Sequence, residues 1–539
     1  MKSHQNRSVI LPDERIAEMT GTGAWGNKTI CNFFDQWSTT CPDKTAVVSV
    51  DAETGAQHTI SFGELAELSD RIAIDLLSRG VGLGDVVAAQ LPNTFEILAI
   101  TLACARIGAV VNPLMPILRE RELTHIFTLT EAKVFYVPEV FKGFDFRSLA
   151  NAVSDQVSTI EHVIVLGENG FELKDDKQPA VEHVAVNPNE LFQIMFTSGT
   201  TGEPKGVMHT ANTLFANVTQ LADRFEVTDE DVILCPTPTA HQLGFLFGVL
   251  LPCVTGAKVV FLDTWVTEKA VDLLESESVS LCMGATPFLM DVSSFADIER
   301  RDLRSFRLFV SGGAPIPSAL VSQAIEKLDA KIISVWGMTE VLAVTTVKLD
   351  DSDELSASTD GVALPHTAVS IVDDNRQFLP SGTPGVLETR GATLCVGYLK
   401  RPELFELRDG WFDTGDLARM DDDGYIRITG RSKDIIIRGG ENIPVVEVEG
   451  LLFKHPRIAS AAIVAMPDQR LGERACAFVR LVDNQPLTLE DIRDFLLSQG
   501  VAKVYVPERL EVIDEMPMTP SGKVQKFALR DVAQSFAAE

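Results

Sequence analysis

The stretch Leu191–Gly206, LFQIMFTSGTTGEPKG, constrains this chain more than any other. Leu191, Phe192, Ile194, Met195 and Phe196 suffice for one buried strand. The residues that follow, Thr197-Ser198-Gly199-Thr200-Thr201-Gly202, are small or hydroxylated and cannot pack a core. They can wrap an anion: glycines let backbone N–H groups converge, hydroxyls add donors, and Lys205 sits close behind. A strand running into such a loop reads as a phosphate site, and the plainer reading is a mobile polar loop. The common nucleotide loop puts Gly-Lys-Ser/Thr five residues after a first glycine, but the fifth residue beyond Gly199 is Pro204, so that pattern fails.

The 539 residues, 45% hydrophobic and 23% charged, are enough for large cores and more than one domain. With 47 basic against 76 acidic residues the net charge is −29, and no long basic run offsets it, so no nucleic-acid partner is expected. The eight cysteines form no C-x-x-C pair and several lie in apolar runs, which predicts buried, reduced thiols and a reducing compartment. The opening MKSHQNRSVILPDERIAEM lacks the apolar centre of a secretory signal. Glu96 and Arg106 interrupt the apolar run 95–116, and Pro252 and Lys258 interrupt 245–262, so neither is read as a membrane span. A cytoplasmic enzyme is the expectation, with loose membrane association left open.

Residues 1–30 read as an N-terminal extension. Gly21-Thr22-Gly23-Ala24-Trp25-Gly26 fits a dinucleotide fingerprint, but polar helix rather than a strand precedes it, so a turn is expected. From 31 onward short β-like runs alternate with helical patterns. Leu65, Leu68, Ile72, Leu76 and Leu77 predict one helical face, and 95–107 predicts a helix. Strands are predicted at 58–62, 86–91, 134–137, 163–166, 192–196, 232–235, 259–262, 281–283, 308–310 and 332–335. The alternation predicts an α/β fold with layered, largely parallel subdomains. From about 350 to 432 short strands and turns predict a small β-rich subdomain that completes a large domain, 31–432. Residues 433–539, with helices at 445–453 and 489–499, read as a small α+β C-terminal domain.

The order and spacing of Thr197–Lys205 resemble the signature loop of the adenylate-forming (AMP-binding) superfamily, which includes acyl-CoA synthetases, peptide-synthetase adenylation domains and luciferases. Further segments match its pattern in order, and the resemblance covers essentially 35–530. Each has a plainer reading as well. His241-Gln242-Leu243-Gly244-Phe245 resembles the gate beside the reacting carboxylate, with Gly244 leaving room for an acyl chain and Phe245, Leu246 and Phe247 lining its path; a lone histidine is more often structural. No aspartate stands there to hold an α-ammonium group, which counts against an amino-acid substrate. Gly312-Gly313-Ala314-Pro315 resembles the loop against adenine, or is a tight turn. In Trp336-Gly337-Met338-Thr339-Glu340 the ring would stack on adenine, Thr339 would donate to the α-phosphate and Glu340 would hold Mg²⁺. The family usually has tyrosine at the first position, and Trp336 keeps the ring while losing the hydroxyl. Asp416 is assigned to ribose, Ile428 to the nucleotide site and Arg431 to ribose or phosphate; a surface hairpin with an ion pair is the alternative.

Lys433 matches the family's hinge. Arg438-Gly439-Gly440-Glu441 matches its pantetheine-channel side, with Gly284 also placed along the acyl/CoA channel. Lys523, in the loop PSGKVQK, matches the lysine at the α-phosphate and carboxylate. Glu340, with Thr200, is the implied metal site. The resemblance therefore implies ATP, Mg²⁺ and coenzyme A. It implies a carboxylic acid converted to acyl-AMP with release of pyrophosphate, then thioester formation after the C-terminal domain turns about the hinge. CMGATPF at 282–288, KDIIIRGGENI at 433–443 and PDQRLGERACAFV at 467–479 resemble short- and medium-chain fatty acyl-CoA synthetases and cyclohexanecarboxylate-type ligases. A module loading a carrier protein, a luciferase-like oxygenase and a non-catalytic acyl- or nucleotide-binding protein are the alternatives. The resemblance leaves room for a homodimer.

Overall fold

The computed structural model describes residues 11–167, 170–171, 173, 184–197, 204–313, 316–432, 434–438, 441–468, 470–483, 485–519 and 523–536, with the side chains of 441 and 442 set aside. A nine-stranded sheet runs in the order Val362–Ala363, Leu342–Thr346, Lys331–Met338, Leu308–Gly312, Leu281–Gly284, Val232–Cys235, Lys258–Leu262, Thr45–Val50, Gln57–Ser61. From Lys331–Met338 to Thr45–Val50 all neighbours are parallel, and the strands outside them are antiparallel. Alternate side chains enter two different cores. Val259, Phe261, Ile233 and Val310 join one, and Val260, Leu262, Leu234 and Phe309 join the other. Burial on both faces explains why these strands read as unbroken apolar runs.

A second sheet, of six strands, runs Lys205–Thr210, Leu191–Thr197, Val110–Pro113, Val86–Ala89, Val134–Pro138, His162–Leu166. It is parallel except where Lys205–Thr210 folds back on Leu191–Thr197, placing Lys205 opposite Thr197. The helix Phe95–Ile107 shares one core with Val87 and Val111 of this sheet and with Val47 and Val259 of the other. That double burial accounts for its apolar sequence. Its buried Arg106 is paired with Asp70 and, at 3.4 Å, with Asp35. Among the described residues no helix is long and apolar enough to cross a membrane.

Helix Phe62–Ser78 opens on a capping box, Ser61 accepting from the Glu64 N–H while Glu64 accepts from the Ser61 N–H. Leu65, Ile72 and Leu76 are buried as expected, but Leu77 is 46% exposed, about 100° around the helix from Leu76. A five-stranded antiparallel sheet forms the β-rich part, with Trp411–Met420 central and Ile426–Arg431 beside it. The C-terminal part builds another five-stranded sheet around Ile458–Asp468 and Gly472–Leu481, with its own cores under the helices Val445–Leu452, Leu489–Ser498 and Lys526–Ser535.

Residues 11–30 are packed in place. Helix Asp13–Gly21 leads into a turn over 21–26, as expected, and not into a dinucleotide loop. Buried Trp25 donates its indole N–H to the Ala392 carbonyl at 3.0 Å, and the Arg15 guanidinium, stacked on that indole, donates to the carbonyls of Leu394 and Cys395. All eight cysteines are free thiols, seven of them buried and Cys41 half-buried.

Candidate active site

The motifs converge at the carboxyl ends of adjacent parallel strands, where open α/β sheets leave crevices. Gly284, Gly312–Gly313 and Trp336–Met338 end neighbouring strands, and the chain leaves Cys235 toward His241 beside them. Asn93, which carried no motif, holds that last loop. Its amide donates to the carbonyls of Cys235 and Thr237 at 3.2 and 3.0 Å and accepts from the Thr239 N–H at 2.8 Å. His241 caps the helix that follows. Burial, then the Lys523 charge, pushes the imidazole down to about 3, so it is neutral at working pH.

Three expectations here are corrected. Gly244 does not open space for a ligand. A Cβ on it would lie 2.1 Å from the Pro238 carbonyl oxygen and 2.6 Å from that of Thr237, so the space is taken by the chain itself. Phe245, Leu246 and Phe247 are fully buried core residues rather than the lining of an open path. Gln242 is 3% exposed, and neither of its amide atoms has a partner among the described residues. A Cβ on Gly284 would meet Phe288 at 2.8 Å, so it too is a packing glycine.

Gly313 has φ +90, and the position its Cβ would take lies 3.1 Å from Cε of Lys523. The C-terminal lysine thus lies across the glycine loop. Its loop is closed by Thr519, whose hydroxyl accepts from the Lys523 N–H at 3.0 Å and whose N–H donates to the Lys523 carbonyl at 2.7 Å. Burial, then the Arg431 charge, lowers the Lys523 pKa, while Asp416 and Glu340 pull it back up. Asp416 is buried, with Oδ1 accepting from Arg431 Nε at 2.7 Å and Oδ2 from Trp336 Nε1 at 2.9 Å. The hairpin ion pair therefore exists, but it stands inside the cluster. Trp336 replaces the family's hydroxyl with an indole N–H, and its ring packs among Val344, Ile371 and Leu387. Ile428 is half-buried on the adjoining strand and donates its N–H to buried Asp360 at 2.8 Å.

A Cβ on Gly337 would lie 1.9 Å from the Leu342 carbonyl oxygen, so the tight return that carries Met338, Thr339 and Glu340 needs a glycine. The buried Glu340 accepts through Oε1 from the Tyr398 hydroxyl at 2.7 Å, and its carbonyl accepts from the Cys395 N–H at 2.7 Å. Buried His209, pushed down to about 4 by burial, is neutral and donates Nε2–H to the Thr339 carbonyl at 2.7 Å. Neither Tyr398 nor His209 was anticipated. Lys205 Nζ lies 4.9 Å from the Tyr398 ring centroid.

Arg438 is not part of this cluster. It pairs with Glu508 within the C-terminal sheet, on the hairpin Ile436–Arg438/Glu441–Ile443 that also carries Glu441. The expectations for Ser198, Gly199, Thr200, Thr201, Gly202, Ala314, Pro315, Lys433, Gly439 and Gly440 lie outside the described residues.

The chain matches the family model of the AMP-binding enzymes over residues 34–399 and that of the AMP-binding enzyme C-terminal domain over 447–523. It is 37% identical to the medium-chain fatty-acid–CoA ligase of Escherichia coli K12, across 98% of this chain and 94% of that one. It is 31% identical to the 2,3-dihydroxybenzoate–AMP ligase of Bacillus subtilis 168, across 96% of each. Among solved structures, ATP-bound MatB from Rhodopseudomonas palustris superposes with a TM-score of 0.85 at 27% identity, over 95% of this chain and all of that one. Sequence, fold and the arrangement of the glycine loops, carboxylates and C-terminal lysine agree: the chain belongs to the AMP-binding enzyme family.

Proposed function

We propose that this enzyme is an ATP-dependent acid–CoA ligase acting on a short- or medium-chain fatty acid or an alicyclic acid. The observation that carries the reading is Lys523, which reaches from the C-terminal part into a cluster with Asp416, Arg431 and Glu340 against Gly313. In the first half-reaction a carboxylate oxygen attacks the α-phosphorus of ATP, the bond to the β-phosphate oxygen breaks, and pyrophosphate leaves with the electron pair. The carboxylate is already ionised at neutral pH, so no general base is needed, which suits a neutral His241. Lys523 supplies positive charge at the reacting phosphorus and Lys205 at the departing phosphates. In the second half-reaction the CoA thiolate attacks the acyl carbonyl and AMP departs.

Glu340 fits a Mg²⁺ ligand. Its Oε1 is held by the Tyr398 hydroxyl, its Oε2 bonds to none of the described residues, and a carboxylate oxygen suits a hard cation. When bound, the ion would neutralise charge on the phosphate oxygens. The similarity to a medium-chain fatty-acid ligase supports the substrate class.

The test is pyrophosphate release and CoA-thioester formation across straight-chain, alicyclic and aromatic acids. Lys523→Ala should abolish acyl-AMP formation while leaving thioester formation from supplied acyl-AMP close to wild type. Equal loss of both halves would refute the assignment of Lys523, and a preference for aromatic acids would refute the substrate class.

A further inference from the structure

The residue before which the chain turns back, Glu340, is held on three sides. His209 takes the preceding carbonyl, the Cys395 N–H takes its own, and Tyr398 takes its side chain. Tyr398 is 5% exposed, and backbone pairing sets its position. The Leu399 N–H donates to the Gly206 carbonyl at 2.8 Å, Met208 to Gly397 at 3.0 Å and Val396 to Met208 at 3.0 Å, which puts Tyr398 opposite Val207. Two residues earlier on that strand stands Lys205, with its ammonium over the Tyr398 ring and no ion pair among the described residues. A buried phenol needs an acceptor for its O–H, and Glu340 Oε1 supplies it. The ring face attracts the ammonium. One side chain therefore touches both Glu340 and Lys205, from a segment the motifs do not include.

We propose that Tyr398 is a positioning residue that couples the metal carboxylate to the phosphate lysine. Its hydroxyl fixes Glu340 with one oxygen left for the cation, and its ring sets Lys205 beside the departing phosphates. The inference rests on the reading of Glu340 as the Mg²⁺ ligand.

The full-length enzyme, Tyr398→Phe and Tyr398→Leu are compared by calorimetric titration with ATP, with Mg²⁺ and with EDTA, and by Mg²⁺-dependent pyrophosphate release. Tyr398→Phe keeps the ring and loses the hydroxyl. Its MgATP affinity should fall about tenfold, the scale seen for groups that hydrogen-bond metal ligands, while metal-free ATP affinity and the KM for the acid hold. Tyr398→Leu should add a severalfold loss of metal-free ATP affinity, because Lys205 loses its ring. Combined with Glu340→Gln, the Phe substitution should cost nothing further. Unchanged MgATP affinity in Tyr398→Phe, or an additive loss in the double variant, overturns the action through Glu340. Equal metal-free affinities in the Phe and Leu variants overturn the action through Lys205. The Phe variant differs by one oxygen, so the first half of the test survives if the Leu variant misfolds. A wild type that binds MgATP yet releases no pyrophosphate with any acid would defeat the ligase reading and leave the calorimetric comparison intact.

Discussion

Gly244→Ala separates two jobs that a glycine beside His241 can do. The added Cβ would lie 2.1 Å from the Pro238 oxygen and 2.6 Å from the Thr237 oxygen. Carbon and carbonyl oxygen pack at roughly 3.3 Å, so the backbones must part by about 1.2 Å. Neither oxygen is free to swing away. Pro238 accepts from the His241 N–H at 2.8 Å, Thr237 accepts from Asn93 at 3.0 Å, and the Phe245 N–H bonds the His241 carbonyl at 2.9 Å. Overpacking costs about 1–3 kcal/mol and one broken buried hydrogen bond about 1–2 kcal/mol more, giving roughly 2–5 kcal/mol. At about 2.1 cal/mol/K of unfolding entropy per residue, a cooperative unit of roughly 420 residues would melt about 2–6 °C lower. Because the shift carries His241, kcat should fall alike for acids of every chain length. Scanning calorimetry and thioester formation over a series of straight-chain acids read both quantities. An unchanged melting temperature with the optimum moved to shorter acids, at about 0.8 kcal/mol per CH₂, would show that Gly244 faces the substrate after all.

His209 gives a pH signature. Its folded pKa of about 4 lies below the ordinary 6.5, so its contribution to stability is complete above pH 6.5 and is lost as pH falls toward 4. Between pH 7 and 5 that loss is about 2 kcal/mol, and His209→Gln, which keeps an N–H for the Thr339 carbonyl, should flatten the melting curve against pH by that amount. Parallel curves for the two proteins would refute it. Trp336→Phe removes the indole donor to Asp416, a hydrogen bond to a charged group worth about 1.5–3 kcal/mol, and should raise the KM for ATP about tenfold with the KM for the acid unchanged. Steady-state kinetics in each substrate decide this, and a rise confined to the acid would place Asp416 elsewhere than at the nucleotide.

What the sequence revealed depends on how far each residue's partner lies. The helix Phe95–Ile107 and the strand Val232–Cys235 are legible because their own composition shows burial on several faces. The strand Val110–Pro113 is hidden inside a longer apolar run, its start marked only by Gly108 at φ +72. Lys205–Thr210, KGVMHT, is a strand through its pairing with Leu191–Thr197 and not through its own residues. At the site, Glu340, Asp416, Arg431 and Lys523 declare themselves by charge beside turns. Asn93, His209 and Tyr398 do not, because each acts on a group 142, 130 or 58 residues away, in the first two cases a backbone carbonyl that has no sequence signature. Gly244 was misread for a related reason: a glycine states that a side chain will not fit, and leaves unsaid whether ligand or chain takes the room.

The charges around Lys523 also bear on what happens after acyl-AMP forms. Its ammonium is desolvated and faces Arg431, and among the described residues Asp416 and Glu340 oppose that cost. Both of Asp416's oxygens are already engaged, Oδ1 by Arg431 and Oδ2 by Trp336, and Glu340 shares its charge with the Tyr398 hydroxyl. On the proposed function, the polyphosphate of ATP would complete the charge balance of the docked lysine. On that reading, pyrophosphate release would remove most of that negative charge while leaving the desolvation cost, and the docked loop would weaken. Hydrogen exchange at 516–526 should accordingly be slowest with ATP and a non-hydrolysable acid analogue, and should quicken with a stable acyl-AMP mimic. Adding pyrophosphate to the mimic complex should restore slow exchange. Equal protection in all three states would mean that charge at the phosphates does not hold Lys523 in place.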